Sequence, residues 1–172
     1  MDTIETILSR RSIRKYTHQA IPEALVENIL RAAMAAPSAG NQQPWHFMIL
    51  DDRRLLDAIP KYHPYAEMLK EAPMAITVCG DLHKLVYDEF WVQDCSAATQ
   101  NILLAAHAQG LGAVWIGLYP DEERVPITQE LLGLPADVIP FCFVALGYPA
   151  EQKKPARRFK TARIHRNQWS FK

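Results

Sequence analysis

The chain has 172 residues, of which 49% are hydrophobic and 22% are charged, and equal numbers of acidic and basic side chains give a formal net charge of zero. A domain of this size buries enough apolar surface to fold without a disulfide or a structural metal, and the composition excludes a disordered, low-complexity protein. The net charge of zero argues against a nucleic-acid partner, since binding to a nucleic acid needs a broad positive face that contacts many phosphates.

The sequence shows no pattern typical of export, membrane insertion or a metal site. Asp2 and Glu5 stand where a secretory signal would carry cations, and no apolar run approaches the ~18 to 20 residues of a membrane span. Cys79, Cys95 and Cys142 lie far apart within apolar runs, which predicts buried free thiols. The histidines lack the spacings of zinc sites. We therefore expect a cytoplasmic protein with no metal and no membrane partner.

Apolar residues at spacings of three and four predict helices in the first half of the chain. A short helix at residues 3–9 leads directly into a cluster of arginines. A second helix begins at Pro22 and ends before Pro37, because proline suits the first turn of a helix and interrupts its interior. Two further short helices are predicted at residues 53–59 and 64–71.

Apolar runs bounded by turn residues predict four strands, at residues 46–50, 74–79, 112–117 and 139–147. The longest helix is predicted at residues 88–109, and its small side chains suit either the spine of the core or the seam of a dimer. Broken helical turns around Pro126 are expected over residues 121–132. Four or five strands with helices between them predict one layered α/β or α+β domain over residues 1–172.

Positive charge is concentrated near the two ends of the chain. Residues 10–15 contain four cations, and residues 152–172 contain eight Lys or Arg and no acid, whereas residues 1–151 carry 11 basic against 19 acidic side chains. Residues 149–172 lack an apolar period and are expected to form an extended basic tail. Both segments are either solvated surface or holders of a phosphate, to which arginine offers bidentate hydrogen bonds.

Two other stretches also allow a structural and a functional interpretation. The loop at residues 37–45 is either a plain surface turn or an edge whose amide groups hydrogen-bond a flat heterocycle. The glycine-flanked strand at residues 112–117 is either a core strand or one whose backbone N–H groups approach a flat ligand. The sequence has no G-x-S-x-G, G-x-G-x-x-G or P-loop motif, so a serine hydrolase, a Rossmann site and a P-loop are not predicted.

Four motifs in a fixed order give the chain a family resemblance. They are Arg-Arg-Ser-Ile-Arg at residues 10–14, Pro-Ser-Ala-Gly-Asn-Gln-Gln-Pro-Trp at 37–45, Gly-Leu-Gly-Ala-Val-Trp-Ile-Gly at 110–117, and Leu-Gly-Tyr-Pro at 146–149. With them the chain resembles the nitroreductase family of FMN flavoproteins, from about residue 4 to residue 158. The resemblance implies an α+β fold with a central, mostly antiparallel sheet flanked by helices, and a homodimer with FMN at the subunit interface.

The resemblance also assigns the residues that would bind FMN. The first motif and the basic tail would hold the phosphate and ribityl chain, the loop would come from the partner subunit, and the end of the 112–117 strand would approach the flavin N5 edge. The residues implied are Arg10, Arg11, Ser12, Arg14, Pro37, Ser38, Asn41, Gln43, Ile116, Gly117, Arg157 and Arg158. The doubled arginine leaves open which of the last two contacts the phosphate.

The activity implied is a ping-pong transfer of hydride from the co-substrate NAD(P)H through FMN to a nitroaromatic or quinone acceptor. No catalytic residue is assigned, because the cofactor carries the chemistry and the protein supplies position and electrostatics. Residues 81–87 leave little room for a lid, so the acceptor stays open. Two alternatives also stay open: a flavin-consuming or dehalogenating enzyme of the same fold, and a non-catalytic module that binds a flavin or a nucleic acid.

Overall fold

A computed structural model describes residues 2–169, apart from the side chain of residue 84. Its centre is a four-stranded sheet with the order β1-β2-β4-β3, in which every neighbouring pair is antiparallel. The strands are β1 (Trp45–Leu50), β2 (Met74–Asp81), β3 (Gly112–Gly117) and β4 (Val138–Gly147). The four predicted strands are all present, and the predicted α+β class with a mostly antiparallel sheet is confirmed.

Five helices flank the sheet: α1 (Thr3–Ser9), α2 (Glu23–Met34), α3 (Arg53–Tyr62), α4 (Trp91–Ala108) and α5 (Arg124–Leu132). The predicted helix at residues 64–71 is wrong, since only a 3-10 turn forms there, at Glu67–Lys70. The broken turns expected around Pro126 are also wrong, since α5 is continuous. Pro126 is the third residue of α5, within the first turn, where a backbone N–H has no partner in the helix.

The helices cover the two faces of the sheet and bury a separate core on each. On one face α2 and α4 pack over Ile76, Val78 and Val144. On the other face α3 and the turn that follows it pack over Val114 and Phe143. Small side chains of α4 are buried in the first core. This helix is therefore a spine of the core, which was one of the two roles predicted for it from the sequence.

The three cysteines are free and buried, which confirms the prediction made from their apolar surroundings. Burial raises the pKa of Cys79 and of Cys142 to about 12, so neither thiol ionises near neutral pH. None of the helices among the described residues is long and apolar enough to cross a membrane. Residue 1 and residues 170–172 of the predicted tail lie outside the described residues.

Strand β3 lies at one edge of the sheet, and the arginine-rich segment after α1 runs along this edge in the same direction. Ser12 forms a parallel bridge with Ala113, and the Ile13 N–H donates to the Ala113 carbonyl at 3.0 Å. Gly112 permits this approach, because a Cβ there would lie 2.6 Å from Ile13 Cγ2. The fold therefore presents the cations of residues 10–14 beside an edge strand.

Candidate cofactor site

The start of the basic tail packs directly on the arginine-rich segment. The Arg14 N–H donates to Glu151 Oε1 at 2.6 Å, and Lys153 Nζ donates to the Ser12 carbonyl at 2.8 Å. The Arg11 side chain donates from Nε to the Lys154 carbonyl at 3.0 Å. Two segments about 140 residues apart, which the sequence marked only by their charge, are thus joined by direct hydrogen bonds.

A cluster of guanidinium groups without a carboxylate forms at the N-terminal end of this segment. Arg10 is half-buried, and burial first, then the charges of Arg158 and Arg11, lower its pKa. In residues 2–169, no carboxylate lies within ion-pair distance of these three guanidinium groups. Gathering like charges without a counterion costs free energy, so the arrangement suits a bound anion such as a phosphate.

His107 belongs to the same charged neighbourhood, although no local sequence pattern distinguishes it from the other histidines. Its Nε2 lies 2.8 Å from the Ser9 hydroxyl, and its pKa is lowered by burial and by the charges of Arg10 and Arg11. Arg157 lines an adjacent groove with Arg158 and Arg11. Of the two tail arginines, Arg158 is the one whose charge acts on Arg10.

The other end of the segment opens onto a cavity of about 480 Å³ at the end of β3. It is lined by Arg14, His63, Pro64, Tyr65, Glu67, Met68, Val114, Trp115, Ile116 and Gly117. Four residues of extended chain separate Arg10 from Arg14, which corresponds to roughly 13 Å. The guanidinium cluster and the cavity are therefore spaced for one elongated ligand that has an anionic group at one end and a flat group at the other.

Gly117 places an open backbone edge in this cavity. The N–H and C=O of one residue point to the same side of a strand and alternate between successive residues. Since the Ala113 carbonyl faces the outer edge, the N–H groups of Trp115 and Gly117 face it too, whereas that of Ile116 faces β4. Among the described atoms, none lies within 4 Å of a Cβ built on Gly117. A flat ligand could therefore approach this N–H directly.

The cavity also contains residues that the sequence did not single out, since they follow α3 in a turn. His63 donates from Nε2 to the Gly117 carbonyl at 2.8 Å. Tyr65 packs edge-on against His63, and its ring faces the Arg124 guanidinium at 5.7 Å. Pro64 signalled the end of α3, but no local pattern indicated that the turn would reach the end of β3.

The predicted loop forms a rigid turn at a different place in the fold. Ser38 Oγ accepts from the Gln43 N–H at 3.1 Å, and Gln43 Nε2 donates to Asn41 Oδ1 at 2.9 Å. Asn41 and Gln43 both adopt left-handed backbone angles, with φ of 58° and 48°. Such angles are uncommon for a residue with a side chain and persist where the surroundings hold them.

Asp94 on α4 and the side chain of Gln42 hold this loop in place. Asp94 is buried and accepts from the Ala39 N–H at 2.9 Å and from Gln42 Nε2 at 2.7 Å. Gln42 Oε1 accepts in turn from the N–H groups of Val86 and Tyr87. Neither Asp94 nor Gln42 was predicted as important, although a lone acid among the small residues of α4 was an available signal.

The structure brings together only part of the predicted site. The arginine-rich segment, the tail and the end of β3 adjoin one another. Across the described part of the chain, no hydrogen bond or ion pair joins Pro37, Ser38, Asn41 or Gln43 to residues 10–14. The described residues also contain no group of three His, Cys, Asp or Glu side chains that could hold a metal ion.

Comparison with known proteins gives a consistent result. The family model described as the nitroreductase family matches residues 7–66 and 58–148. A protein of Methanothermobacter thermautotrophicus, provisionally named NADH dehydrogenase/NAD(P)H nitroreductase, is 52% identical over 169 residues, which cover 98% of this chain and 88% of that protein.

Solved structures show the same likeness. A crystal structure of a Parabacteroides distasonis protein with the same provisional name has a TM-score of 0.93 and 43% identity, and covers 97% of this chain and 98% of its own. A provisionally named nitroreductase of Desulfovibrio desulfuricans, solved in complex with FMN, has a TM-score of 0.84 and 32% identity, and the match covers 99% of both chains. The likeness therefore extends over nearly the whole chain.

Proposed function

The chain belongs to the nitroreductase family and is an NAD(P)H-dependent flavin oxidoreductase; we propose that its arginine cluster and the cavity beside Gly117 hold one FMN between them. One observation carries this proposal. Three guanidinium groups, those of Arg10, Arg11 and Arg158, gather without a carboxylate at one end of the arginine-rich segment, and the open N–H of Gly117 lies in the cavity at its other end. Bound FMN would supply hydride transfer from NAD(P)H to an acceptor.

Each part of the site would have a distinct role in holding the cofactor. Arg10, Ser12 and Arg158 would hold the phosphate, where guanidinium forks match its oxygens. Arg11 would mainly fasten the tail, because its side chain already donates to backbone carbonyls. Arg14 and the Gly117 N–H would contact the ring, where positive charge and N–H donors stabilise the electron-rich reduced form.

We propose further that the complete site needs a second copy of the chain, which supplies the 37–43 loop. The loop is rigid and polar yet separate from the arginine cluster within one chain. Apolar surface available for a partner lies on α1, where Ile4 and Leu8 are 64% and 68% exposed, and on the tail, where Phe159 is 81% exposed. We propose that residues 1–172 act as one domain, with residues 149–172 as its basic tail.

The acceptor would be a nitroaromatic or a quinone, reduced in a ping-pong cycle. The cavity is broad, and the exposed ring of Tyr65 at its edge could stack on a flat acceptor. The buried cysteine thiols take no part, because their raised pKa values keep them protonated. The residues that line the cavity would bind and orient the two substrates in turn.

An absorption spectrum of the purified protein tests the proposal. We expect a bound flavin spectrum that bleaches when NADH or NADPH is added under anaerobic conditions and returns when a quinone or nitrofuran is added. Arg10→Ala and Ser12→Ala should each weaken FMN binding by about 1 to 3 kcal/mol, since a phosphate oxygen loses its partner. Arg54→Ala removes an exposed arginine paired with Asp52 and should have no effect. A wild-type protein that takes up no FMN would refute the proposal.

A further inference from the structure

His107 lies where the end of α4 meets the end of α1, beside the arginine cluster. It belongs to the last turn of α4, and its Nε2 lies 2.8 Å from the hydroxyl of Ser9, the last residue of α1. Arg10 and Arg11 follow Ser9 directly in the chain. The contact with Ser9 therefore holds a titratable ring next to two of the three clustered guanidinium groups.

The titratable side chains on the elements packed against this ring come from α1, the arginine-rich segment and the tail. They are Glu5, Arg10, Arg11, Glu151 and Lys153. His107 lines a cavity of about 340 Å³ together with Arg11, Glu151 and Lys153. Within residues 2–169, His107 forms no ion pair with a carboxylate. Helix α2 meets this end of α4 through an uncharged hydrogen bond, from Asn28 Nδ2 to Gln109 Oε1 at 3.2 Å.

These surroundings disfavour a positive charge on the ring of the FMN-free protein. Burial first, and then the charges of Arg10 and Arg11, lower the pKa of His107. The C-terminal end of a helix acts in the opposite sense, because it stabilises a cation in its last turn. The net direction is downward, so the neighbouring guanidinium groups and burial outweigh the helix end.

A phosphate bound by the arginine cluster would reverse this balance. A phosphate monoester carries a charge of about −1.5 to −2 at neutral pH, which offsets the guanidinium charges that act on the ring. Protonated His107 is then more favourable in the complex than in the FMN-free protein. The coupling is reciprocal, so a protonated ring strengthens phosphate binding by the same factor as the phosphate strengthens protonation.

We propose that His107 is a proton-linked binding residue of the phosphate site, which takes up a proton from solvent when FMN binds and so makes the affinity for FMN depend on pH. The inference rests on the proposed FMN site. Because the bound anion raises the pKa of His107, the gain in affinity is complete below the pKa of the FMN-free protein and is lost as the pH rises through the pKa of the complex. Histidine ordinarily titrates between about pH 5 and 8, so the change falls near neutral pH.

FMN binding to apoprotein at about pH 8 and about pH 6, measured by fluorescence titration at constant ionic strength, tests this linkage. His107→Gln keeps a hydrogen-bonding group toward Ser9 but does not titrate. The phosphate itself gains a proton near about pH 6, which weakens binding in both proteins, so the wild type is compared with the variant at each pH. The ratio of the variant Kd to the wild-type Kd should be about three- to tenfold larger at the lower pH, as expected for one added charge at a partly screened site.

Two controls separate the linkage from a general effect of acidification. His18→Gln removes an exposed histidine and should show the same pH dependence as the wild type. Riboflavin lacks the phosphate, so the ratio of the variant Kd to the wild-type Kd for riboflavin should be the same at both pH values. Calorimetry in two buffers of different ionisation enthalpy should show proton uptake on FMN binding to wild-type protein that is smaller in His107→Gln.

NMR titration of the His107 ring in wild-type protein needs no variant. We expect a higher pKa with FMN bound than without it, and an equal or lower pKa in the complex would overturn the proposal. A ratio of Kd values that does not change with pH would likewise refute the role of His107 and leave the FMN site intact. A wild-type protein that binds no FMN at either pH refutes the FMN site and the linkage together.

Discussion

The arginine-rich segment and the 37–43 loop are both polar, and we propose that both contact one cofactor, yet the fold holds them in opposite ways. The segment is fixed by its backbone, through Ile13 to β3 and through the Arg14 N–H to Glu151. The loop is fixed by side chains, through Gln42 and the buried carboxylate of Asp94. The first arrangement leaves charged side chains available for a ligand. The second leaves a rigid loop that, within the described residues, makes no hydrogen bond to the arginine-rich segment of its own chain.

This difference indicates how a composite site can be encoded in one chain. A phosphate site can be built locally, because a few guanidinium groups on an extended segment already provide charge and hydrogen bonds. An edge that contacts a flat ring must hold its shape before the ring arrives, and buried hydrogen bonds such as those of Asp94 supply that rigidity. The pairing of two copies would then bring the two parts together.

Removing the anchor of the loop should have the largest effect on stability. Asp94→Ala leaves the Ala39 N–H and the Gln42 amide without their acceptor, which should lower the free energy of unfolding by about 2 to 4 kcal/mol. Urea denaturation measures the loss, and hydrogen exchange should quicken in residues 37–43 but not in residues 11–14. Asp94→Asn keeps an acceptor oxygen and should lose less. Equal losses in the two variants would contradict the anchoring role.

A methyl group at Gly117 should block the ring without disturbing the fold. The space around Gly117 is open, so Gly117→Ala should fold normally but weaken FMN binding by about 1 to 3 kcal/mol through overlap with the ligand. Gly133→Ala is the matched control, since its surroundings are equally open but its φ is +63°. That variant should lose stability and keep its FMN affinity. Unchanged FMN binding in Gly117→Ala would place the ring elsewhere.

A smaller effect is expected from the contact that fastens the tail. Donation from the Arg14 N–H, and then from Lys153, lowers the pKa of Glu151. A lowered pKa in the folded state means that the carboxylate stabilises the protein above the ordinary glutamate pKa, near about 4.3, and that this stability is lost as the pH falls through the folded value. FMN retention by wild-type protein should therefore fall on acidification to below about pH 4.

Glu151→Gln tests the origin of that pH dependence, because the amide keeps an acceptor and does not titrate. FMN retention should be slightly lower than in wild type at neutral pH and should change less between neutral and acidic pH. Equilibrium dialysis across this range gives both curves. Identical pH profiles for the variant and the wild type would assign the acid sensitivity to other groups.

Elements whose signal is local were predictable from the sequence. The four strands are mostly apolar runs, and β3 matches its predicted bounds of residues 112–117. The predicted helix bounds were wrong where a proline lies inside a helix rather than at its end. Helix α3 continues through Pro60 to Tyr62, and Pro126 lies inside the first turn of α5. A proline restricts its neighbours, but packing decides whether a helix ends at it.

The residues of the proposed site, and those that hold its parts in place, can be divided in the same way into predictable and unpredictable ones. Arg10 and Ser12 belong to a dense charged motif, and Gly117 ends a glycine-flanked strand, so each could be selected from the sequence. His63 and Asp94 could not, because their importance depends on partners 54 and 55 residues away along the chain. A buried histidine or aspartate acquires its role from the hydrogen bonds it makes in the folded protein.

Mixing two defective chains tests the central claim, that one copy supplies the arginine cluster and another supplies the loop. One chain carries Arg10→Ala and the other carries Asn41→Ala with Gln43→Ala, and each alone should retain little FMN. In a mixed dimer one site would carry both defects and the other neither. We therefore expect mixed dimers, isolated by two affinity tags, to bind one FMN per dimer with wild-type affinity. Mixed dimers that bind no FMN tightly would contradict a site shared between two copies.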